Sequence, residues 1–127
     1  LNKEKFFCLQ WSRLFYMYGK GQSPNSLLSQ LDIAIKNGES KFNMSGGEQL
    51  RDYLPIEEIV KQLFNLYESG RCGTYNICSG YPISVRRLVE QRVKESGSNI
   101  KLNLGYYPYP DYEPMEFWGI RDFVEKK

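Results

Sequence analysis

Apolar positions along this chain follow two rhythms, dense runs closed by glycine and longer stretches that repeat every three or four residues. The first dense run, Phe7 to Tyr18, is rich in aromatic and apolar residues and is followed by Gly19, Gly21 and Pro24, which predicts a buried strand running into a loop. From Ser26 to Asn37 the spacing lengthens: Leu27, Leu28, Leu31, Ala34 and Ile35 fall on one helical face, with Gly38 where a left-handed C-cap belongs. Lys41–Met44 and Leu50–Leu54 flank Ser45-Gly46-Gly47 and predict two short strands joined as a hairpin. Pro55 to Ser69 is the clearest helix. Pro55 suits its first turn, Glu57 and Glu58 favour its positive end, and Ile56, Ile59, Val60, Leu63, Phe64 and Tyr67 recur before Gly70.

Gly73 to Cys78 predicts a short buried strand. Ser84 caps a helix that carries Val85, Leu88, Val89 and Val93 on one face up to Gly97, and Ile100 to Leu104 alternates like a strand. The alternation of strands and helices predicts an α/β chain. After Gly105 the composition changes to Tyr106-Tyr107-Pro108-Tyr109-Pro110-Asp111-Tyr112-Glu113-Pro114, whose prolines exclude helix and leave an extended loop. No internal repeat is present, and 127 residues suffice for one core that buries roughly two-thirds of the unfolded surface.

Charge narrows the function. The net charge is +2 with both signs interspersed, which disfavours a nucleic-acid partner and leaves anion binding to single placed arginines. A single-strand binder that stacks bases on its tyrosines is further opposed by Asp111, Glu113 and Glu116 inside the aromatic run. No apolar run approaches the roughly 20 residues of a membrane span, the longest near the start being Phe6-Phe7-Cys8-Leu9. The sequence has no histidine, which removes Ser-His-Asp and Cys-His catalysis and the usual histidine metal sites; no catalytic residue and no metal ligand is assigned. Cys8, Cys72 and Cys78 are odd in number and lack C-x-x-C spacing, so they read as buried small hydrophobes of a cytoplasmic, reducing compartment rather than as a disulfide scaffold. Leu1 to Trp11 lacks the features of a signal peptide, and the start at Leu1 reads as that of a piece of a longer protein.

Three segments carry a more specific signal. Arg13-Leu14-Phe15-Tyr16-Met17-Tyr18-Gly19-Lys20-Gly21-Gln22 resembles R-x-F-N-x-Y-G-P-G-Q, with Tyr16 in place of asparagine and Lys20 in place of proline. Residues 46–58, from Gly46-Gly47-Glu48-Gln49-Leu50-Arg51-Asp52-Tyr53 to Glu58, resemble G-x-G-x-Q-x-R-D-(F/Y/W)-x-x-V-x-D. Thr74-Tyr75-Asn76-Ile77-Cys78-Ser79-Gly80 resembles Y-N-(I/V)-G-x-G. These are segments of extended short-chain dehydrogenases acting on nucleotide sugars, the NAD(P)-dependent epimerases, dehydratases and reductases, and the resemblance covers the second half of that family. It implies a fragment of a Rossmann-like fold, residues 1–127, carrying the last sheet strands and the small C-terminal substrate-binding subdomain, with the N-terminal dinucleotide-binding half absent.

The resemblance also implies roles. Arg51 reaches the pyrophosphate of a nucleotide-diphosphate sugar, for which a forked guanidinium is well suited; the plainer reading is a surface cation paired with Asp52 or Glu48. Gln22, Asn76 and Tyr16 line the substrate cleft, Asn76 serving equally well as a strand-end group bonded to its own backbone. Tyr112, Glu113 and Trp118 line the base or sugar pocket or else cover the core. Leu14, Phe15 and Tyr16 run past the nicotinamide. NAD or NADP belongs to the full-length protein, and none is expected to bind tightly to this chain alone, because no G-x-G-x-x-G occurs. Tyr16-x-x-x-Lys20 imitates the family's catalytic tyrosine and lysine, but the glycine between them places the pair at a strand end. The expected partners are the nucleotide sugar, the missing half of the same protein and, through unpaired sheet edges, further copies in a homo-oligomer. A stand-alone, non-catalytic nucleotide-sugar module of the same fold is the alternative.

Overall fold

The computed structural model describes residues 7–121. Residues 1–6, which include Phe6 and more than half of the stretch read for a leader, and residues 122–127 lie outside the described residues. The order is β1 (Gln10–Leu14), β2 (Tyr16–Tyr18), α1 (Leu27–Lys36), β3 (Lys41–Asn43), β4 (Leu50–Arg51), β5 (Tyr53–Pro55), α2 (Ile56–Ser69), β6 (Gly73–Ile77), β7 (Ile83–Ser84), α3 (Val85–Ser96), β8 (Lys101–Asn103) and β9 (Glu116–Phe117).

The helices start and stop where the sequence signals them. The Ser26 hydroxyl accepts from the Ser29 amide and the Ser84 hydroxyl from the Arg87 amide, each satisfying one of the amides a helix start leaves free. Gly70 and Gly97 close α2 and α3. Leu28, Leu31 and Ala34 of α1 pack with Val85, Leu88 and Val89 of α3 over Phe42, Met44 and Ile100, which forms the larger core. A smaller core joins Ile59 and Leu66 of α2 to Leu54 and Ile77. Of the apolar face expected on α2, Val60, Phe64 and Tyr67 stay exposed, because only the stripe facing Leu54 and Ile77 finds a partner.

The strands differ from expectation. The run from Phe7 to Tyr18 is two strands rather than one: β1 pairs in parallel with β6, Phe15 donates its amide to Ile77 O, and β2 then pairs in parallel with β5. It is also largely exposed, Trp11, Leu14, Tyr16 and Met17 among it, since no further strand covers it among the described residues. The expected hairpin around Ser45-Gly46-Gly47 does not form. β3 pairs in parallel with β8, whereas β4 pairs antiparallel with β7 and parallel with β9. The loop between them serves α3 instead: Gly47 O accepts the Arg86 amide at 2.8 Å and Gln49 O the Val85 amide at 2.9 Å.

The cysteines divide. Cys78 is buried, as expected, but Cys8 and Cys72 are exposed and joined in a disulfide across a sequence separation of 64, with Cα atoms 5.1 Å apart. The parallel register Gln10↔Gly73 places the two residues side by side, a proximity that spacing along the chain does not reveal.

Gly47 generates a stability prediction. It holds φ +70°, and a Cβ there would stand 2.9 Å from the backbone N and Cα of Arg86. Gly47→Ala must push the loop off the start of α3 and is expected to destabilise the protein by at least about 2 kcal/mol, read as a lower denaturation midpoint. An unchanged midpoint would show that the loop is not tied to α3.

Candidate functional site

Successive residues of a strand face opposite sides, and the short stretch from Leu50 to Tyr53 uses this to aim two buried charges apart. Asp52 is fully buried. Its carboxylate accepts the amides of Ser79 at 2.7 Å, Gly80 at 3.0 Å and Gly119 at 3.3 Å, a nest of backbone donors that meets the charge without a cation. Arg51 and Tyr53 meet on the other side, against Tyr16 of the neighbouring β2.

Arg51 is only 2% exposed. One guanidinium nitrogen donates to Glu113 Oε1 at 2.8 Å and the other to Leu50 O at 2.8 Å. Its Cζ lies 6.0 Å from the centre of the Tyr16 ring, which itself packs on Tyr53 at 5.4 Å and edge-on against Phe117 at 6.4 Å. Burial alone pulls the Arg51 pKa down, but the hydrogen bond and charge of Glu113, joined by Tyr16, outweigh it and leave the pKa raised. Burial likewise raises Tyr53, with Tyr16 and Glu113 adding and Arg51 opposing. The site therefore presents a fixed cation, already paired with Glu113, and, in Tyr53, a neutral phenol; neither group is poised to move a proton near neutral pH.

The structure gathers Tyr16, Arg51 and Glu113 from the residues expected at the site. Arg51 pairs with neither Asp52 nor Glu48, so the surface-cation reading does not hold. Phe15 adjoins the group through Phe117, ring centres 5.5 Å apart, and Leu14 ends β1 half exposed. The others stand apart. Asn76 accepts from Arg13 Nε and donates to Ile120 O, both at 2.8 Å. Gln22 braces its own loop, accepting the Gly19 amide at 2.7 Å and donating to Ser26 Oγ. Tyr112 is 90% exposed and Trp118 is also open to solvent. Tyr16 is on β2 and Lys20 in the turn after it, so they share no helix. Sequence reasoning gave Asp52 a role only as a candidate partner of Arg51, and gave none to Tyr53 or Phe117. For Asp52 the signal was its place beside Arg51 in the second motif.

Gln22 lines a separate cleft of about 420 Å³ with Tyr18, Lys20, Asp32, Glu57 and Arg92. Arg92 is already held there by both oxygens of Asp32, at 2.9 and 3.0 Å. Asp32, Glu57 and Glu95 outnumber Lys20 and Arg92 in the lining, a balance that repels a diphosphate. Burial, then Glu95 and Glu57, raise the Tyr18 pKa against the pull of Arg92.

No family model matches the chain. It is 30% identical over 113 residues to the dTDP-6-deoxy-L-talose 4-dehydrogenase (NAD(+)) of Aggregatibacter actinomycetemcomitans, a match covering 89% of this chain and 42% of that protein. The CDP-abequose synthase of Salmonella muenchen is 25% identical over 117 residues, covering 90% of this chain and 40% of that one. Among solved structures, the UDP-N-acetylglucosamine 4-epimerase from Methanobrevibacter ruminantium M1, in complex with UDP-N-acetylmuramic acid, superposes with a TM-score of 0.76 at 26% identity, over 88% of this chain and 37% of that one. The chain spans about two-fifths of the length of the relatives it matches. These proteins are named for nucleotide-sugar chemistry, the first of them with NAD(+), and the chain has part of the extended short-chain dehydrogenase fold. Among the described residues no helix is long and apolar enough to cross a membrane.

Asp52 gives the second prediction. Asp52→Asn keeps the shape but turns an NH2 toward backbone donors, and a hydrogen bond to a charged group contributes about 1.5–3 kcal/mol. The variant is expected to lose about 2–4 kcal/mol of stability, seen as a lower urea midpoint. A wild-type midpoint would mean that solvent, not Asp52, satisfies those amides.

Proposed function

We propose that this chain, carrying part of an extended short-chain dehydrogenase fold, is the substrate-binding region of a cytoplasmic NAD(P)-dependent nucleotide-sugar epimerase, dehydratase or 4-keto reductase used in making surface-polysaccharide sugars. The observation that carries the reading is the Arg51–Glu113 pair: a buried, permanently charged guanidinium whose carboxylate partner comes from the Tyr/Pro loop rather than from the scaffold. The relatives named above act on dTDP-, CDP- and UDP-sugars. A nucleoside diphosphate is the group these substrates share, and an arginine fork is the side chain best matched to it.

Arg51 is too buried to meet a ligand with Glu113 in place. In the proposed binding step the diphosphate takes over the guanidinium from Glu113, whose side chain is 35% exposed and free to turn toward solvent. Tyr16 and Phe117 then supply an aromatic wall beside the phosphates. Gln22, Asn76 and Tyr112 belong to the proposal only as outlying contacts, since their present partners or exposure set them apart from Arg51.

The residues present do not make a dinucleotide site. The Gly-rich turn and helix start that hold a dinucleotide pyrophosphate are missing from the sequence, and only Leu14-Phe15-Tyr16 stands ready to border a cofactor brought by the rest of the protein. The half-exposed Leu14 and Tyr16 and the bare outer face of α2 suit a surface that the remaining part of the protein, or a second copy, covers.

Calorimetric titration of the intact protein with UDP and dTDP tests the assignment. Arg51→Ala is expected to weaken binding roughly ten- to a hundredfold, and Arg51→Lys to recover only part of it, because the charge remains and the fork is lost. Glu113→Gln removes the competing carboxylate and should tighten binding. Arg71→Ala is the control, its exposed side chain lying past the end of α2. Equal affinities for Arg51→Ala and wild type would end the assignment.

A further inference from the structure

We propose that Cys8 and Cys72 form a reversible thiol–disulfide site, at which a low-molecular-weight disulfide such as oxidised glutathione modifies the protein and staples β1 to β6. Both residues are exposed, whereas the third cysteine, Cys78, is fully buried and is no competitor for the exchange. Each lies just ahead of one strand of a parallel pair. The Gly73 amide donates to Leu9 O at 2.8 Å, and the Gln10 side chain donates to Leu66 O and Arg71 O at 2.8 and 2.7 Å, so this corner is held in register independently of the sulfurs.

The same backbone accommodates both redox states. With Cα atoms 5.1 Å apart the pair is within the range a disulfide spans. Cys8 Sγ also stands 3.6 Å from Gly70 O, where a thiol donates a weak hydrogen bond. The backbone and Gln10 hydrogen bonds that hold the two strands involve neither sulfur, so they remain in place in both redox states of the proposal.

The exchange balances without any further reactant. One protein thiolate attacks oxidised glutathione, its S–S bond breaks, and one reduced glutathione leaves. The second protein thiolate attacks the mixed disulfide and expels the second glutathione. Two electrons pass from the protein dithiol to the oxidant, and the two protons lost by the protein thiols are taken up by the two departing glutathione thiolates. Excess reduced glutathione runs the steps backwards.

Cys8 precedes Tyr16 by eight residues, about 27 Å of extended chain. The staple thus acts at the far end of the strand from Arg51 and changes how firmly β1 is held rather than how the anion is bound. β1 is the element on which this matters, since Trp11 is largely and Leu14 half exposed.

The intact protein is equilibrated in oxidised and reduced glutathione mixtures, alkylated and analysed by mass spectrometry, with melting and UDP titration in parallel. The expected result is an intramolecular Cys8–Cys72 disulfide at the oxidising end, a midpoint at least about 5 °C above the reduced form, and unchanged UDP affinity. Cys8→Ser and Cys72→Ser each remove the difference in melting. Free alkylation of both thiols in excess oxidised glutathione, an endpoint of mixed disulfides, or equal midpoints would each overturn the proposal.

Discussion

The buried carboxylate of Asp52 is the constraint on which the arrangement depends. A charge removed from water must be met in full, and here three backbone amides do so, from the loop after β6 and from Gly119 near the end of the described chain. Three segments far apart in sequence are thereby fixed to one point beside β4 and β5. Gly119 approaches closely because it has no side chain: a Cβ there would stand 2.8 Å from both Cys78 Sγ and the Phe15 ring. A larger residue would withdraw the third donor.

The position of the Tyr/Pro loop follows from this anchor. Its start is held by the Tyr106 amide on Met44 O, its end by Gly119 on Asp52, and the short β9 lies along β4 between them. Glu113 is thus delivered to Arg51 by a segment pinned at both ends. Alternation along the strand does the rest, since the register that turns Asp52 inward turns Arg51 and Tyr53 toward Tyr16. One buried charge organises the backbone while its neighbour holds the carboxylate of Glu113, the pair that the proposed anion would have to open.

The helices were legible because their signals are local. Ser26, Ser84, Gly70 and Gly97 act within a turn of where they stand, and the faces of α1 and α3 bury the residues their spacing selects. Strand partners were not legible. Ser45-Gly46-Gly47 has the composition of a hairpin turn, yet β3 and β4 find partners elsewhere because the loop's carbonyls are used by the amides that open α3. The disulfide escaped for the same reason, as only the β1–β6 register brings Cys8 to Cys72. At the site, motif resemblance located Arg51, but its burial under Glu113 depends on β9, only two residues long and just past a proline-rich run that carries no strand period.

The two cores differ in how completely they close, and this bears on how the piece works. Around α1, α3, β3 and β8 the apolar side chains find one another, and nine buried residues make a unit with little left to cover. Around α2, β5 and β6 only four are buried, while Val60, Phe64 and Tyr67 on the helix and Trp11 and Leu14 on β1 face outward. Arg51, at the end of β4, and Asp52, just before β5, lie between these regions. An anion held at Arg51, as proposed, would sit against the self-sufficient core and beside the open one. On the same proposal, a protein surface that covered the open side would come to rest next to the bound ligand, the placement required when one part of a protein grips a substrate and another acts on it.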